Sequence, residues 1–314
     1  ALLIVPVLAE DAPDFEPIPW DIKVSPNLPN PDCYLPNNGG YHDDSIDIQI
    51  DITYWTQDLQ QVDAPGEGTT TVMSARVKLT DVSQFRTGFA NKYPSKQARH
   101  VNDMTKRFNA VMGIDGDYCL YHEQGIVVRN GRTLRMRPHK GRDELIVDEN
   151  GDFHLITCTT QAKWDEYIAG GGTVLHAFCF GPALVVDGVP LTSLDDVTID
   201  NGKAKKAQRM VIGQIGKLEY LILTNEGPES TAPKSVGFDL VQMANLCVQF
   251  GLDNAHTPDG GSPSTIALNN QKINSPSSHK NRMVGDCIWF ATLVKEETWR
   301  EKESVQTVEV EENK

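Results

Sequence analysis

A loop that combines an acidic residue with glycines and hydroxyl side chains occupies residues 251–270, "GLDNAHTPDGGSPSTIALNN". Glycines let backbone N–H groups approach a ligand closely, and hydroxyl groups add donors that suit phosphate or sugar oxygens. Asp-Gly and Gly-Ser are also common turn dipeptides, so local composition leaves a substrate-binding loop and an ordinary turn both open. The candidate residues here are His256, Asp259, Gly260, Gly261, Ser262, Ser264 and Thr265.

Carboxylates follow two apolar segments elsewhere in the chain. In "GIDGDYC", Asp115 and Asp117 flank a glycine at the end of a predicted strand, where side chains extend past the sheet edge. Two carboxylates at this spacing suit acid–base chemistry or calcium binding, and a tight turn is the alternative. In "ILTNEGPES", Glu226 ends a second apolar strand beside a glycine and is a third candidate carboxylate.

Two arginines adjoin apolar strands. Arg209 opens "RMVIGQI", and Arg282 stands just before "MVGDCIWF". Either one could clamp a phosphate through paired hydrogen bonds, or lie on the surface as most arginines do. His122, His139 and His176 have no paired context in the sequence and are expected to be structural or exposed. The sequence contains no GxSxG elbow, P-loop or HExxH motif.

The segments that carry these residues have the patterns of paired strands. Residues 45–55 and 71–80 alternate apolar and polar side chains, which predicts strands with one buried face. Asn-Gly and Asp-Gly dipeptides between apolar runs predict hairpins, and residues 265–268 and 286–294 predict closing strands. Hairpins are predicted at residues 125–138, 144–157, 180–191 and 209–225.

Four segments have helical signals. Residues 81–91 follow a Thr-Asp cap, and residues 95–109 place Val101, Met104 and Phe108 on one face. Helices are also predicted at residues 162–172 and 237–251, the latter ending at a glycine. Because hairpins outnumber helical crossovers, we expect an α+β fold with a largely antiparallel mixed sheet and several helices.

No repeat and no linker divides the body of the chain. We therefore expect a single catalytic domain over residues 46–294. It is preceded by an irregular wrapping segment at residues 1–45, which is rich in Pro and Asn, and followed by an acidic tail at residues 295–314.

Composition and charge exclude some classes of function. With 39% hydrophobic and 23% charged residues, the 314-residue chain resembles an average globular protein. Its net charge of −14, without a Lys/Arg stripe, argues against nucleic acid or an anionic membrane as the main partner. No run reaches the length of a membrane helix, so membrane insertion is not expected. The apolar start "ALLIVPVLA" fits the end of a secretory signal or a strand.

The six cysteines lie far apart and form no CxxC pair or zinc-spaced Cys/His cluster. This spacing argues against a structural zinc ion. Several cysteines stand inside apolar runs, so buried free thiols are expected. Disulfides remain open if the protein is exported.

Nine blocks of the sequence, taken in order, resemble those of the phosphodiester glycosidase family. The resemblance spans about residues 72–290 and is especially close to members from gut-type bacteria. The family includes the uncovering enzyme, which removes N-acetylglucosamine from a phosphodiester on lysosomal-enzyme glycans. The blocks are "RFNAVMGIDGDYC", "GIVVRNG", "DELIVDENGDFHL", "FCFGPALVVDG", "QRMVIGQI", "YLILTNEG", "GFDLVQMANLCVQFGLDNAHTPDGGSPST", "INSP" and "NRMVGD".

The sequence departs from the family pattern at its motifs. Asp115 stands where the family usually has asparagine, and Glu226-Gly227-Pro228 replaces an Asp-Gly-Arg triplet, so the arginine is absent. The family loop Asn-Leu-Asp-Gly-Gly-Gly-Ser-Ser reads Thr-Pro-Asp-Gly-Gly-Ser-Pro-Ser at residues 257–264. An added carboxylate and a lost arginine imply a different glycan, a shifted acid–base arrangement or a scaffold that only binds.

The resemblance implies a secreted or cell-surface hydrolase of a sugar-1-phosphodiester, acting on a phosphorylated glycan or carbohydrate without a required cofactor. Its carboxylate is expected to be Asp259, then Glu226, then Asp115. Residues expected to bind substrate are Arg209, Arg282, Gly260, Gly261, Ser262, Ser264, Asn274 and His256. The alternatives are a non-catalytic glycan-binding or cell-surface protein and a glycosidase of non-phosphorylated glycan. The phosphodiester interpretation expects Asp259, Glu226 and both arginines to converge in one cleft.

Overall fold

The structure is a computed structural model that describes residues 15–195, 205–230, 234–274 and 281–295. The apolar start and nearly all of the predicted acidic tail lie outside these ranges. Within them the chain forms three α-helices and 22 strands, and every strand pairing is antiparallel. The predicted α+β class is confirmed. None of the helices in the described ranges is long and apolar enough to cross a membrane.

The elements have the following bounds. The helices are α1 (Val101–Phe108), α2 (Gln161–Ala169) and α3 (Leu240–Gln249). The strands are β1 (Phe15–Glu16), β2 (Tyr34–Leu35), β3 (Gly40–His42), β4 (Ile46–Trp55), β5 (Gln61–Val62), β6 (Thr70–Leu79), β7 (Phe85–Phe89), β8 (Met112–Asp115), β9 (Gly125–Arg129), β10 (Arg132–Arg137), β11 (Glu144–Val147), β12 (Phe153–Ile156), β13 (His176–Phe178), β14 (Ala183–Val186), β15 (Val189–Pro190), β16 (Arg209–Gly216), β17 (Glu219–Asn225), β18 (Asn254–His256), β19 (Ile266–Leu268), β20 (Gln271–Lys272), β21 (Asp286–Phe290) and β22 (Val294–Lys295).

The strands form one large sheet and three smaller ones. The ten-stranded sheet has the order β15-β14-β18-β16-β17-β6-β4-β3-β2, with β5 added to β4. Two five-stranded sheets have the orders β20-β19-β8-β21-β7 and β10-β9-β13-β11-β12, and β1 pairs with β22. All four predicted hairpins are present. The described part of the N-terminal segment contributes β2 and β3 to the large sheet, so it is integrated into the body of the protein.

The main core forms where the sheets face one another. Ile48 of β4 and Ile222 of β17 share one apolar cluster with Ile114 of β8, Phe290 of β21 and Leu145 of β11. Burial of such side chains is the main stabilising contribution to folding. This packing fixes the ends of β8, β16 and β21 relative to one another, and those ends carry the candidate site.

Helices cover the outer surfaces. A second cluster packs Met243 and Cys247 of α3 against Val211 and Leu223 of the large sheet. Asp239 caps α3 through a reciprocal capping box with Gln242. The predicted helix at residues 237–251 is therefore confirmed apart from its ends.

The predicted helix at residues 81–91 is wrong. Asp81 does form a capping box, but it caps only a 3₁₀ turn, Val82–Gln84, and the chain continues as β7 beside β21. Tertiary packing decides the outcome, because a Cβ at Gly88 would lie 2.4 Å from the Phe108 ring. The close approach of β7 to α1 requires glycine there. The next helix begins at Val101 rather than at residue 95, and its predicted apolar face is buried.

Candidate active site

A pocket lies at the adjoining ends of β8 and β21, beside the loop after β18, and its empty space of about 290 Å³ includes open solvent. Strand pairing creates this location, since Cys287 of β21 lies opposite Asp115 of β8, and the Gly116 N–H donates to the Asp286 carbonyl at 3.1 Å. The lining combines three carboxylates, one guanidinium group and two phenol rings. The lining residues are Gly116, Asp117, Tyr118, Tyr121, Asp259, Arg282, Met283, Val284, Gly285 and Asp286.

Asp259 enters this pocket from the glycine-rich loop. Its backbone N–H donates to the Gly116 carbonyl at 3.1 Å, and the Gly261 N–H donates to the Gln208 carbonyl at 2.8 Å. Gly261 has φ +78°, a conformation that favours glycine. The loop is thus fixed between β8 and β16, and the Gly261 N–H is already used by the protein itself.

The electrostatic environment of Asp259 suits proton transfer. The pKa of Asp259 is raised to about 7, chiefly by burial; Arg282 opposes the rise, and the nearby charges of Asp286 and Asp117 add to it. A carboxyl group with a pKa near neutrality can gain or lose a proton during a reaction cycle.

Arg282 is exposed at the other side of the pocket. Its Nη1 donates to the Ser262 hydroxyl at 3.4 Å, so the arginine contacts the same loop that carries Asp259. The structure therefore brings together three of the predicted residues, Asp259, Arg282 and Ser262. Their chemistry combines an acid–base group with donors for an anionic oxygen.

A buried ionic group closes the pocket floor. Nη2 of Arg129 lies 3.0 Å from Asp286 Oδ2 and 3.4 Å from Asp117 Oδ2, and its guanidinium group stacks 4.3 Å from the Phe178 ring centroid. Burial raises the pKa of Asp286 to about 7. Burial acts in the same direction on Asp117, but Arg129 and other neighbours outweigh it and hold its pKa below the usual range.

Sequence analysis did not identify Arg129 or Asp286 as site residues. Arg129 ends the apolar strand β9 and Asp286 begins the apolar strand β21. A charged residue next to a strand that is otherwise fully apolar was an available signal, because such groups are rarely buried unless paired. The partners could not be inferred, since 157 residues separate the two.

Asp115 and Glu226 lie outside the pocket. Asp115 is fully buried and its Oδ1 accepts from the Thr265 N–H at 2.7 Å; burial raises its pKa well above the usual range. Both carboxylates are close enough to Lys272 to raise its pKa against the effect of burial, which still lowers it overall. Asp115 and Asp117 have different hydrogen-bond partners, Thr265 for the first and Arg129 and Cys179 for the second, and calcium binding between them stays a prediction.

Arg209 does not join Arg282 in the pocket. Its Nη2 donates to the Lys205 carbonyl at 2.6 Å and its Nε to the Phe238 carbonyl at 3.4 Å. A Cβ built on Gly260 would lie 3.8 Å from Arg209 Cα, so Arg209 supports the loop from outside the pocket lining. Of the four residues expected to converge, the pocket lining contains Asp259 and Arg282 and does not contain Arg209 or Glu226.

Three other predicted binding residues, Asn274, Ser264 and His256, do not line the pocket. Asn274 accepts from the Ile266 N–H at 2.8 Å and donates to the Ser264 carbonyl at 2.9 Å, which leaves orientation of the loop as its role. Ser264 is fully buried, and His256 is buried on β18. Burial lowers the pKa of His256, which favours the neutral ring.

The prediction of buried free thiols is confirmed at most cysteine positions. All six cysteines are free, and Cys119, Cys179, Cys247 and Cys287 are buried.

His122 was expected to have no paired context, and this expectation is wrong. One of its ring nitrogens, a carboxylate oxygen of Asp117 and the sulfur of Cys179 lie within 4.8 Å of one another. No sequence pattern reveals this group, since 62 residues separate Asp117 from Cys179.

Comparisons with known proteins agree with this architecture. The zebrafish N-acetylglucosamine-1-phosphodiester alpha-N-acetylglucosaminidase catalytic domain, auto-inhibited by its pro-peptide, matches with a TM-score of 0.61 at 14% identity, over 80% of this chain and 85% of that chain. A hypothetical protein from Synechocystis matches with a TM-score of 0.50 at 12% identity, over 78% of this chain and 62% of that one. Both show the fold. No curated protein matches at the sequence level.

A sequence match to a family extends this structural likeness. The family described as phosphodiester glycosidase matches residues 108–291, more than half of the 314-residue chain. The matched region contains β8, the glycine-rich loop and β21, which together form the pocket. The chain therefore belongs to the phosphodiester glycosidase family.

Proposed function

We propose that the protein hydrolyses the bond between the anomeric carbon of a sugar and a phosphodiester oxygen on a glycan or polysaccharide. The observation that carries the proposal is the placement of Asp259, with a pKa of about 7, in one open pocket with the exposed Arg282. Family membership supports the reaction class. A secreted or cell-surface location belongs to the same proposal, because the substrate is a displayed glycan.

The leaving group determines what the protein must supply. A phosphate monoester leaves more readily than an alcohol, so general-acid assistance is less necessary than in ordinary glycosidases. Ionised Asp259 takes a proton from water as the water oxygen attacks the anomeric carbon. The bond from that carbon to the bridging oxygen breaks, and the oxygen leaves with the phosphate.

The phosphate is held by the donors at the pocket mouth. Arg282 supplies the positive charge, and the Ser262 hydroxyl, 3.4 Å from its Nη1, adds a second donor. Of the two loop glycines, only Gly260 is proposed to donate its N–H, because that of Gly261 is bonded to Gln208. Donors fixed before binding stabilise developing charge without reorganisation.

The acidic lining favours a second candidate function. Asp117, Asp259 and Asp286 line the pocket with a single exposed arginine, and three carboxylates repel an anionic substrate when they are ionised. A glycosidase that acts on non-phosphorylated glycan would fit this balance. It would need one carboxyl group as general acid, which the raised pKa values of Asp259 and Asp286 allow.

Paired chromogenic substrates distinguish these functions. One substrate is a sugar-1-phosphodiester and the other is the plain glycoside of the same sugar, and a small panel of sugars is assayed. We expect release from the phosphodiester and a loss of roughly 100-fold or more in kcat for Asp259→Asn. Asp253→Asn, at an exposed position of the same segment, is the matched control. Release only from the glycoside supports the second function, and binding without release from either supports a glycan-binding protein.

A further inference from the structure

Three side chains from different parts of the fold converge next to the pocket floor. Asp117 follows β8, His122 precedes β9, and Cys179 follows β13. One donor atom from each lies within 4.8 Å of the other two. Thiolate, imidazole and carboxylate are the three ligand types that zinc-class metal ions accept from proteins.

Several polar atoms in this group have no hydrogen-bond partner among the described residues. They are both ring nitrogens of His122 and Oδ1 of Asp117, and all three atoms are buried. Asp117 itself is 2% exposed, while its Oδ2 accepts from the Cys179 N–H at 2.9 Å. Leaving a buried polar atom unpaired is unfavourable, so three such atoms at one place point to a ligand that pairs with them.

Charged groups of both signs surround these three side chains. Carboxyl groups of Asp286 and Glu144 lie close enough to influence Asp117 or Cys179 electrostatically, and Glu144 Oε2 is also buried without a partner in the described part of the chain. The positive groups are Arg129, Arg135 and Arg142. Metal binding would bring two negative ligands, the Asp117 carboxylate and the Cys179 thiolate, to a divalent cation.

We propose that Asp117, His122 and Cys179 bind a divalent transition-metal ion of the zinc class. The sulfur ligand distinguishes this site from the calcium pair expected from sequence, since calcium prefers oxygen ligands. The Cys179 thiol lies 3.4 Å from Asp117 Oδ2. The metal would replace the thiol proton, which is released to solvent, and three protein ligands would leave a fourth position for water.

The geometry requires a modest closure. Bond lengths of about 2.0–2.3 Å place the ligand atoms of a tetrahedral zinc ion roughly 3.3–3.8 Å apart. The three ligand atoms here lie within 4.8 Å of one another, so the most distant pair would have to approach by about 1 Å. His122 lies outside the regular strands, so its movement breaks no strand pairing. Arg135 holds the backbone of that segment by donating to the His122 carbonyl at 2.7 Å and the Gln124 carbonyl at 2.6 Å. It also lies 3.4 Å from the Cys179 sulfur, where its charge stabilises the thiolate.

Metal titration tests the proposal without reference to enzymatic activity. Chelator-treated full-length protein is kept in a phosphine reductant and titrated with Zn²⁺, and separately with Co²⁺, whose thiolate complex gives a charge-transfer absorption band. We expect one equivalent bound, a rise in Tm and the cobalt–thiolate band. Cys179→Ser should abolish the band, and His122→Ala should weaken affinity by at least roughly tenfold. Cys158→Ser and His139→Ala are matched controls and should behave as wild type.

His122→Ala keeps the proposal falsifiable if the Cys179 variant fails to fold, because His122 is only partly buried. Its folding is checked by near-ultraviolet circular dichroism in the absence of metal. The proposal is overturned if wild-type protein binds neither metal, or if folded His122→Ala binds zinc as tightly as wild type. A cobalt–thiolate band that depends on Cys158 rather than Cys179 overturns it as well.

Discussion

At the scale of single residues, Asp259 determines how the reaction should depend on pH. Burial raises its pKa to about 7, and the proposed mechanism uses the ionised form. We therefore expect kcat/KM for the phosphodiester to rise with pH and to level off above about pH 7. A pH–rate profile of wild type measures this. A rate that falls as pH rises through 7 would mean that the protonated carboxyl group is the active form.

Arg282 should discriminate between anionic and neutral substrates. Charge-assisted hydrogen bonds contribute about 1.5–3 kcal/mol, so Arg282→Gln should raise KM for the phosphodiester roughly 10- to 100-fold and change that for a plain glycoside little. Arg132→Gln, at an exposed arginine of β10, serves as the control. Equal losses on both substrates would show that Arg282 acts on something other than the phosphate.

Residue types and local context were enough to identify Asp259, Arg282 and Ser262 as site candidates. Arg129 and Asp286 were missed because their roles come from pairing across distant strands. The position of Arg209 outside the pocket lining could not be foreseen for the same reason, since its guanidinium group bonds to backbone carbonyls that no sequence pattern reveals.

At the scale of elements, Asn274 connects the glycine-rich loop to β19. Its side chain bonds both the Ile266 N–H and the Ser264 carbonyl. Asn274→Ala should lower kcat roughly tenfold or more on every substrate, because small displacements of a catalytic group have large effects on rate. The exposed α3 residue Asn245, replaced by alanine, provides a comparison. An Asn274 variant with unchanged kcat would argue against a role in positioning the loop.

Elements with local signals were predicted well and elements that depend on packing were not. The hairpin between β9 and β10 follows from the dipeptide Asn130-Gly131, both residues of which have positive φ. The capping box at Asp81 was a genuine signal that starts only one turn, because the contact of Gly88 with Phe108 favours a strand next to β21. Local propensity is weak where tertiary packing opposes it.

At the scale of the whole molecule, Asp259 should lower the free energy of unfolding at high pH, where the proposed mechanism uses its ionised form. Its folded pKa of about 7 lies above the ordinary value of 3.8 for aspartate, so the folded state retains a proton that the unfolded state loses as pH rises between these values. Stability contributed by this group is therefore lost with rising pH across that window. Asp259→Asn should raise the free energy of unfolding by about 1–3 kcal/mol at about pH 8, with little difference at about pH 4.

Denaturant unfolding at the two pH values measures this effect, with Asp253→Asn as the control. At the higher pH the asparagine variant should be both the more stable and the less active protein. A destabilised Asp259→Asn variant would indicate that the carboxylate anchors the loop structurally, which is the alternative role for this residue.

The central claim is that this fold cleaves a carbon–oxygen bond at the anomeric centre and leaves the phosphorus untouched. Hydrolysis of a sugar-1-phosphodiester in water labelled with oxygen-18, followed by mass spectrometry of both products, tests it most directly. The account predicts the label in the free sugar and none in the phosphate monoester. Label in the phosphate would contradict it, because water would then have attacked phosphorus.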